Sequence, residues 1–459
     1  MSEEFGSYRS AFSVNKKASS EVESKPWLPE REPPSIYFTN ANIIDVIAGE
    51  ILPGASIVIE GGFITKIISK DAAQQDVEEQ ALSIDLGGKY LCPGLIDCHV
   101  HLTANAGQAN IRELFAAHPN AIAYRTVWNA KKMLLRGFTT VRDTGGADSA
   151  LREAIEECLI AGPRLFIAGK ALTQTGGHGD LRTVYQGDEY KCCGGHTPNF
   201  ARVCDGVPAA LEAARDELRR GADFLKIMVG GGVVSPTDTL DALQFTPEEI
   251  KAITTVARQA GKIVTAHAYT VESIRHAICN GVLGIEHANF IDVETARICA
   301  SKGISVTPTL VTYKAMSEPP YEEFLPPRGR DKNKRVLESG VKALKILRDE
   351  GVNICFGTDL LAGMHVLQNE EFRIRNQVLS SIEILRSATC NGAKLLGMQE
   401  LIGKIADGFV ADLLILSQNP LEDISVLADI DETCCGIIKE GRVVFSTLSS
   451  LGVDEAYCC

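Results

Sequence analysis

The sequence has no long hydrophobic run. A helix that crosses a bilayer needs about 20 consecutive apolar residues, and no stretch of the 459 residues approaches that length. The chain starts with the acidic Met-Ser-Glu-Glu and has no apolar core of a secretory signal behind it. We therefore expect a cytoplasmic protein that has no membrane partner.

The sequence also has fewer positively charged than negatively charged residues. The chain has 46 Lys and Arg residues against 59 Asp and Glu residues, which gives a formal net charge of −13 at pH 7. A protein with this balance has no broad electrostatic attraction to nucleic acid or to an anionic membrane. We therefore expect no nucleic-acid partner.

The 14 cysteines do not form the patterns of a disulfide framework or a structural zinc site. Adjacent pairs such as Cys192-Cys193 and Cys434-Cys435 indicate reduced thiols, and the pair Cys458-Cys459 fits a solvated tail. The segment 190–205 contains three cysteines and a histidine but lacks a Cys-x-x-Cys pair. We predict that this segment is a loop over the mouth of the fold.

Composition divides the chain into a large middle segment and two terminal segments. Residues 1–34 are polar and end in several prolines, which predicts a flexible N-terminal tail. Short alternating β-like stretches occupy residues 35–91 and return over 399–459. We expect these two segments to form one small β-sandwich domain, with a short C-terminal tail, beside a catalytic domain over residues 92–398.

Apolar strand-like runs alternate with helical patterns through the middle segment. The eight runs are 95–102, 138–143, 165–172, 224–229, 262–267, 284–288, 304–311 and 353–358. Helical patterns lie between them, for example at 121–136, 149–161, 208–220, 247–260 and 332–350. This repeat predicts an α/β fold, a TIM (β/α)8 barrel, whose functional groups gather at the C-terminal ends of the strands.

Several residues with the chemistry of metal ligands lie at or near the ends of these runs. They are His99, His101, Lys226, His267, His287 and Asp359. Because His99 and His101 are two residues apart on one strand, their imidazoles face the same side and can chelate one ion. Taken alone, this pair could equally be two core histidines. Imidazoles and a carboxylate suit Zn²⁺ without any cysteine, so the whole set predicts a metal centre.

Lys226 is unusual in such a set, because a protonated amine repels a metal ion and the apolar neighbours of Lys226 disfavour its charge. Carboxylation of the amine by carbon dioxide would give an anionic carbamate, whose two oxygens can bridge a pair of divalent ions. An ordinary lysine whose stem packs on apolar surface is the alternative.

A carbamate at that position would complete a centre for two metal ions. His99, His101 and Asp359 would hold the more buried ion, and His267 and His287 the more exposed one. A hydroxide that bridges the ions would be available at neutral pH, and one ion can polarise a carbonyl group. Asp359 would take the proton of the hydroxide and pass it to a leaving nitrogen. The pattern therefore predicts hydrolysis at a carbonyl carbon.

These motifs resemble the amidohydrolase superfamily, in its form with a binuclear centre, over most of residues 36–446. The strings that carry the resemblance are Pro93-Gly-Leu-Ile-Asp-Cys-His-Val-His101, Thr139-Thr-Val-Arg-Asp143, Leu225-Lys226, Thr265-Ala-His267, Glu286-His287, Gly357-Thr-Asp359, Ala388-Thr-Cys-Asn391 and the segment 403–412. The segments 172–180, 205–215 and 227–236 are similar to the prolidase-like branch. That branch includes Xaa-Pro dipeptidases, carboxypeptidase-like enzymes that act on N-acyl amino acids, and ochratoxinase-like enzymes.

The resemblance implies an enzyme that cuts an amide bond in an Xaa-Pro dipeptide or an N-acyl amino acid, with ochratoxin A among the candidates, and releases an amino acid. It implies two divalent ions per subunit, expected to be Zn²⁺, N6-carboxylated Lys226, and a homo-oligomer such as an octamer. His178 and Tyr269 resemble positions that contact the substrate or its oxyanion. The alternative for His178 is a histidine in a surface loop, and the alternative for Tyr269 is ordinary packing. The run Gly230-Gly-Gly232 would allow either a close approach to a ligand or a tight turn.

Two other functions stay open at this point. One is a mononuclear cyclic-amide hydrolase or deaminase on the same barrel, and the other is an inactive amidohydrolase-like scaffold. Lys226 counts against the first, because mononuclear members typically lack a lysine on the fourth strand. The presence of all the predicted ligands counts against the second.

Overall fold

The computed structural model describes residues 25–29, 32–71, 81–105, 107, 109–187 and 200–457. Most of the predicted N-terminal tail lies outside the described residues. So do the greater part of the predicted loop over 190–205 and the pair Cys458-Cys459.

The strands alternate with helices through the middle of the chain. In chain order the strands are β1 (Ile36–Asp45), β2 (Glu50–Glu60), β3 (Phe63–Ile68), β4 (Leu82–Asp85), β5 (Tyr90–Pro93), β6 (Leu95–Val100), β7 (Phe138–Asp143), β8 (Arg164–Ile167), β9 (Ala171–Thr173), β10 (Ala201–Val203), β11 (Leu225–Met228), β12 (Val264–Ala268), β13 (Gly284–His287), β14 (Ser305–Thr307), β15 (Asn353–Ile354), β16 (Leu413–Leu416), β17 (Cys434–Lys439) and β18 (Arg442–Ser446).

The helices are α1 (Ile111–Ala116), α2 (Pro119–Leu135), α3 (Ser149–Glu156), α4 (Val207–Arg219), α5 (Pro247–Gln259), α6 (Val271–Cys279), α7 (Val293–Ser301), α8 (Val311–Ala315), α9 (Pro327–Asp349), α10 (Glu370–Arg375), α11 (Ser381–Ser387), α12 (Cys390–Leu395), α13 (Ser425–Ala428) and α14 (Ile430–Thr433). Short 3-10 helices cover Gly363–Leu367 and Glu455–Tyr457. Within the described part of the chain, no helix combines the length and the apolarity that a membrane crossing requires.

The middle of the chain forms a ring of parallel strands. One sheet has the order β6-β7-β8, and a second has the order β10-β9-β11-β12-β13-β14-β15. Backbone hydrogen bonds from Cys98 N to Phe356 O and from Asp359 N to His99 O join the first strand of the ring to the chain after the last. Strands such as β6, β7 and β12 are buried at every residue, which explains their nearly continuous apolar character. The TIM-barrel type of α/β fold is therefore confirmed.

Some predicted strand boundaries are wrong. The run 165–172 is two strands, β8 and β9, because Gly169 turns the chain between them with φ of 68°. A left-handed backbone of this kind favours glycine and interrupts a strand. The run 304–311 is a strand only over β14, and the run 353–358 only over β15.

The N- and C-terminal segments share one mixed sheet outside the barrel. Its order is β18-β17-β16-β5-β1-β2-β3, and β4 pairs in parallel with β1. The two segments meet where β16 runs antiparallel to β5, with Leu413 opposite Pro93. Alternate burial of Ile36 and Phe38 in β1 gives this sheet a core of its own. The layering of this unit as a β-sandwich stays a prediction.

A buried ion pair attaches the terminal sheet to the barrel. Arg164 on β8 donates hydrogen bonds to Asp412 and, at 2.8 Å, to Glu440. It also donates to Thr140 Oγ1 on β7, at 2.9 Å. Because Arg164 and Asp412 are both buried, removing either charge would leave the other uncompensated. The carboxylate of Asp412, which ends the string 403–412, therefore holds the two units together.

His365, in the 3-10 helix Gly363–Leu367, gives a testable pH dependence of stability. Its Nε2 donates to Ala104 O at 2.9 Å, and burial lowers its pKa to about 3. Below pH 6.5 the unfolded chain therefore binds a proton that the folded protein does not, so stability decreases as pH falls, by about 1.4 kcal/mol per pH unit. We expect His365→Gln to flatten this slope between pH 6.5 and 5 in denaturant unfolding. An identical slope in wild type and variant would contradict the assignment.

Candidate metal centre and active site

The predicted ligands lie on four strands and one connecting segment of the barrel. His99 is on β6 and His101 follows it, Lys226 is on β11, His267 on β12 and His287 ends β13. Asp359 lies on the segment after β15, which is bonded through its backbone to His99. His99, Lys226, His267 and His287 are almost completely buried, whereas His101 and Asp359 retain some exposure.

The structure brings these side chains together. Asp359 Oδ1 lies 3.3 Å from His99 Nε2 and 3.2 Å from His101 Nε2. The ring centroids of His99 and His287 are 4.9 Å apart, and those of His287 and His267 are 4.6 Å apart. Within the described residues, potential ligand atoms of His99, His287 and Asp359 all lie within 4.8 Å of one another. Such a spacing places these three side chains within one metal centre.

Lys226 is buried beside this group. Burial lowers the pKa of Lys226 to about 8, although the charges of Glu286 and Asp359 oppose the shift. Among the described residues, its Nζ atom has no hydrogen-bond or ion-pair partner. Burial therefore disfavours the charged form of the amine at this position.

Two of these residues have a left-handed backbone. His287 and Asp359 have φ of 75° and 52°, and Ala288 has φ of 56°. This left-handed region is uncommon for residues other than glycine and costs about 1–3 kcal/mol for each residue. Ala288 N donates to Ala268 O, and Asp359 N to His99 O, which holds both turns in place. The left-handed backbone sets the direction of His287 at the end of β13 and of Asp359 on the segment after β15.

Comparison with known proteins identifies the family. A model of the amidohydrolase family matches residues 90–444. The chain belongs to the amidohydrolase family.

Relatives place the chain more narrowly. Ochratoxinase from Aspergillus niger is 30% identical over 427 residues, which span 87% of this chain and 86% of that protein. A crystal structure of a prolidase complexed with N-methylphosphonate-L-proline is 41% identical, with a TM-score of 0.85 and coverage of 90% of this chain and 100% of that one. A Xaa-Pro dipeptidase with methionine bound in its active site is 30% identical, with a TM-score of 0.79, and the match covers 89% of this chain and 99% of that one.

This amidohydrolase therefore lies in the prolidase-like and ochratoxinase-like branch, and it is a hydrolase of amide carbon–nitrogen bonds. Amidohydrolases generally use divalent metal ions.

The hydrogen bonds of the four histidines indicate which ring nitrogens would bind metal ions. One ring nitrogen of each lies next to a group outside the cluster: His99 Nδ1 to Glu286 at 2.9 Å, His101 Nδ1 to Gly145 O at 2.8 Å, His267 Nε2 to Gly231 O at 3.1 Å and His287 Nδ1 to Thr309 Oγ1 at 2.8 Å. Carbonyl and carboxylate oxygens only accept hydrogen bonds, so in the first three rings that nitrogen carries the proton. With a metal ion bound, the other nitrogen of these three rings would supply the lone pair that a metal ligand requires.

Two charged residues that the sequence interpretation gave no role hold His99 in place. Arg142 on β7 donates to both carboxylate oxygens of Glu286, at 2.7 and 2.9 Å, and Glu286 accepts from His99. Burial raises the pKa of Glu286, but the charges of Arg142 and Lys226 outweigh burial and hold that pKa well below its usual range. The sequence signal was a charged residue inside a buried apolar strand, at both positions. Each lay in a string that carried the family resemblance.

A cavity of about 90 Å³ opens beside His101 and Asp359. Its apolar lining includes Leu181, Phe200, Met228, Val233, Val234, Met316 and Leu361. Lys and Arg are missing from the described part of the lining. Phe200, which follows the undescribed part of the predicted loop, makes a T-shaped contact with His101, with ring centroids 5.5 Å apart. The cavity therefore offers an apolar surface next to the predicted ligands.

His178 and Tyr269 both line this cavity. The ring of His178 stacks on His267 with centroids 4.1 Å apart, and burial lowers the pKa of His178 to about 4. Tyr269 OH lies 2.9 Å from the hydroxyl of Tyr313, which is itself 3.0 Å from His287 Nδ1. Burial raises the pKa of Tyr269, so its hydroxyl stays protonated. Tyr313, which the sequence interpretation missed, links Tyr269 to the predicted ligand His287.

Proposed function

We propose that this amidohydrolase is a binuclear enzyme that hydrolyses the amide bond of an Xaa-Pro dipeptide or an N-acyl amino acid and releases an amino acid. The observation that carries the proposal is the convergence of four histidines and Asp359 around the buried Lys226. N6-carboxylation of Lys226 would remove the cost of that amine and supply two oxygens between the two groups of ligands.

The residues divide between two ions. His99, His101 and Asp359 would hold one ion, His267 and His287 the other, and carboxylated Lys226 would contact both. Zn²⁺ suits this mixture of imidazole and carboxylate ligands. Bound divalent ions would acidify water and polarise the substrate carbonyl.

Asp359 has the position of a proton carrier. It contacts His99 and His101 on one side and lines the cavity on the other. A carboxylate there can accept a proton from the attacking water and deliver it to the leaving nitrogen. His178 and Tyr269 line the same cavity and would contact the substrate beside Asp359.

The apolar cavity and the relatives support the substrate class. The described lining offers contacts for an uncharged apolar side chain, without a lysine or arginine to favour an acidic one. A prolidase bound to a phosphonate of L-proline, a Xaa-Pro dipeptidase with bound methionine, and an ochratoxinase are all similar to this chain. We therefore propose an apolar amino acid on one side of the scissile bond, with ochratoxin A as one test compound.

Metal content and a substrate panel test the proposal together. We expect about two Zn²⁺ per chain on the purified protein, and amino-acid release from Xaa-Pro dipeptides, N-acyl amino acids or ochratoxin A. His287→Gln should lose bound metal, whereas His118→Gln, which changes an exposed histidine outside the centre, should keep it. One ion per chain with hydrolysis only of cyclic amides would favour the mononuclear alternative, and no hydrolysis at all would favour a scaffold.

Asp359→Asn tests the proton-transfer role. We expect the variant to lose about a hundredfold in kcat, because an amide cannot carry the proton, and to change KM by less than about threefold. Steady-state kinetics on protein with measured metal content separates this effect from loss of a ligand. An unchanged kcat in fully loaded Asp359→Asn would remove the assigned role.

Assembly and location belong to the same proposal. We propose a homo-oligomer, such as an octamer, by analogy with the family, and a cytoplasmic enzyme without nucleic-acid or membrane partners. Sedimentation velocity of the purified protein tests the assembly, and a monomer at micromolar concentration would contradict it.

A further inference from the structure

A buried polar chain is hydrogen bonded to the ring of His178. His178 Nδ1 is 2.9 Å from Ser235 Oγ, and Ser235 Oγ is hydrogen bonded to Asp238 Oδ1. Ser235 and Asp238 are 4% and 7% exposed. Neither residue contacts a predicted ligand in any of the hydrogen bonds described, so the chain reaches the site through His178.

Asp238 is surrounded by donors. Lys332 Nζ donates to its Oδ1 at 3.0 Å, and Gln244 Nε2 and Gly232 N donate to its Oδ2 at 3.0 and 3.2 Å. Lys332 on α9 is buried, and its other two hydrogen bonds go to the carbonyl oxygens of Gly232 and Ser235. A carboxylate with a buried ammonium and two further donors is an acceptor on both oxygens.

The hydroxyl proton of Ser235 decides the tautomer of His178. Ser235 Oγ has three neighbours within hydrogen-bond distance: Asp238 Oδ1, Gly232 O at 3.1 Å, and His178 Nδ1. Two of them, the carboxylate and the carbonyl, can only accept, and the carboxylate gives the stronger bond. Ser235 therefore donates its one proton away from His178 and accepts from His178 Nδ1–H.

The backbone fixes the orientation of the same ring. A Cβ atom at Gly232 would lie 2.0 Å from two ring atoms of His178, so the ring lies directly on the glycine. The ring also stacks on His267, and Gln244 Oε1 accepts from His178 N at 2.8 Å. This explains the run Gly230-Gly-Gly232, whose backbone supports His178 and, through Gly231 O, His267.

We propose that Ser235 and Asp238 are positioning residues that hold His178 as its Nδ1–H tautomer and present Nε2 to the substrate as a hydrogen-bond acceptor. The inference rests on the proposed function, because it assigns His178 a substrate contact. An acceptor at Nε2 matches a substrate N–H, either the amide N–H of an N-acyl amino acid or the α-ammonium of a dipeptide. It does not match an oxyanion, which needs a donor.

The tautomer of His178 can be measured without any enzymatic turnover. Protein labelled with ¹⁵N-histidine and loaded with Zn²⁺ gives ring-nitrogen resonances that distinguish protonated from unprotonated nitrogens, and His178→Gln assigns the signal. We expect Nδ1 protonated and Nε2 unprotonated in the wild type, and loss of this preference in Ser235→Ala. This variant leaves Lys332 paired with Asp238, so folding is preserved. A protonated Nε2 in the wild type would overturn the proposal, whether or not a substrate has been found.

Kinetics test whether Ser235 acts through His178. We expect Ser235→Ala to lower kcat/KM about tenfold in the wild-type background, and by less than about twofold when His178→Gln is already present. Thr239→Ala, which removes an exposed hydroxyl from the same loop, should leave activity and metal content unchanged. Equal losses in both backgrounds would show that Ser235 only stabilises the loop. If no compound on the panel is hydrolysed, the proposed function fails, while the tautomer measurement still decides this inference.

Discussion

Lys226→Ala should lower kcat by at least about a thousandfold while the barrel stays folded. The variant has no amine to carboxylate, so the two groups of predicted ligands lose the group between them. The burial of the amine offsets the favourable effect of the Lys226 charge on Glu286. We therefore expect bound metal to fall together with kcat, and the unfolding free energy of the metal-free protein to change little. Metal analysis, steady-state kinetics and denaturant unfolding measure the three quantities.

A matched lysine supplies the control for this result. Lys251 lies exposed on α5, and Lys251→Ala should keep metal, kcat and stability. When metal-free wild-type protein is loaded with metal in the absence of carbon dioxide, we expect metal uptake to be slow. Addition of bicarbonate should restore the rate of uptake. Full metal content and wild-type turnover in Lys226→Ala would show that the lysine does not bridge the ions. Loss of folding in the variant would instead assign Lys226 a role in the core.

The parts of the site that sequence could predict depend on local patterns. The two-residue spacing of His99 and His101 sets their common face on any strand. The βα repeat then places Lys226, His267 and His287 at the same end of the barrel without knowledge of any contact between them. Strand ends converge in a barrel whatever the details of packing, so these predictions survive errors of several residues in strand length.

The parts that sequence could not predict depend on pairing between distant segments. Arg142 and Glu286 are 144 residues apart, and nothing local in either strand shows that the two charges meet. His178, Ser235 and Lys332 likewise come from three separate segments. These three residues come into contact because the strands close into a barrel, and this closure fixes the register of all the strands together. A turn such as the one at Gly169 can also interrupt a run that looks like one strand in the sequence. Only the backbone conformation shows that interruption.

The pair of Arg142 and Glu286 has a counterpart elsewhere in the barrel. Arg375 Nε donates to Glu371 Oε1 at 2.8 Å, and both side chains are completely buried. Each guanidinium lies over a phenylalanine ring, Arg142 at 4.9 Å and Arg375 at 4.8 Å. The two pairs differ in what the carboxylate holds. Glu286 accepts from His99, whereas Glu371 accepts from two backbone N–H groups, at the start of α8.

This difference separates a stability effect from a metal effect. Glu286→Gln leaves Arg142 without a charged partner in a buried position, which should cost about 3–5 kcal/mol of unfolding free energy. It also removes the carboxylate that fixes His99, so metal affinity should fall about 10- to 100-fold. Glu371→Gln should cost a similar amount of stability and leave metal affinity unchanged. Denaturant unfolding and competition with a chelator measure the two quantities on each variant. Equal losses of metal affinity in both variants would mean that the affinity follows overall stability, and that the contact between Glu286 and His99 has no separate effect on the metal centre.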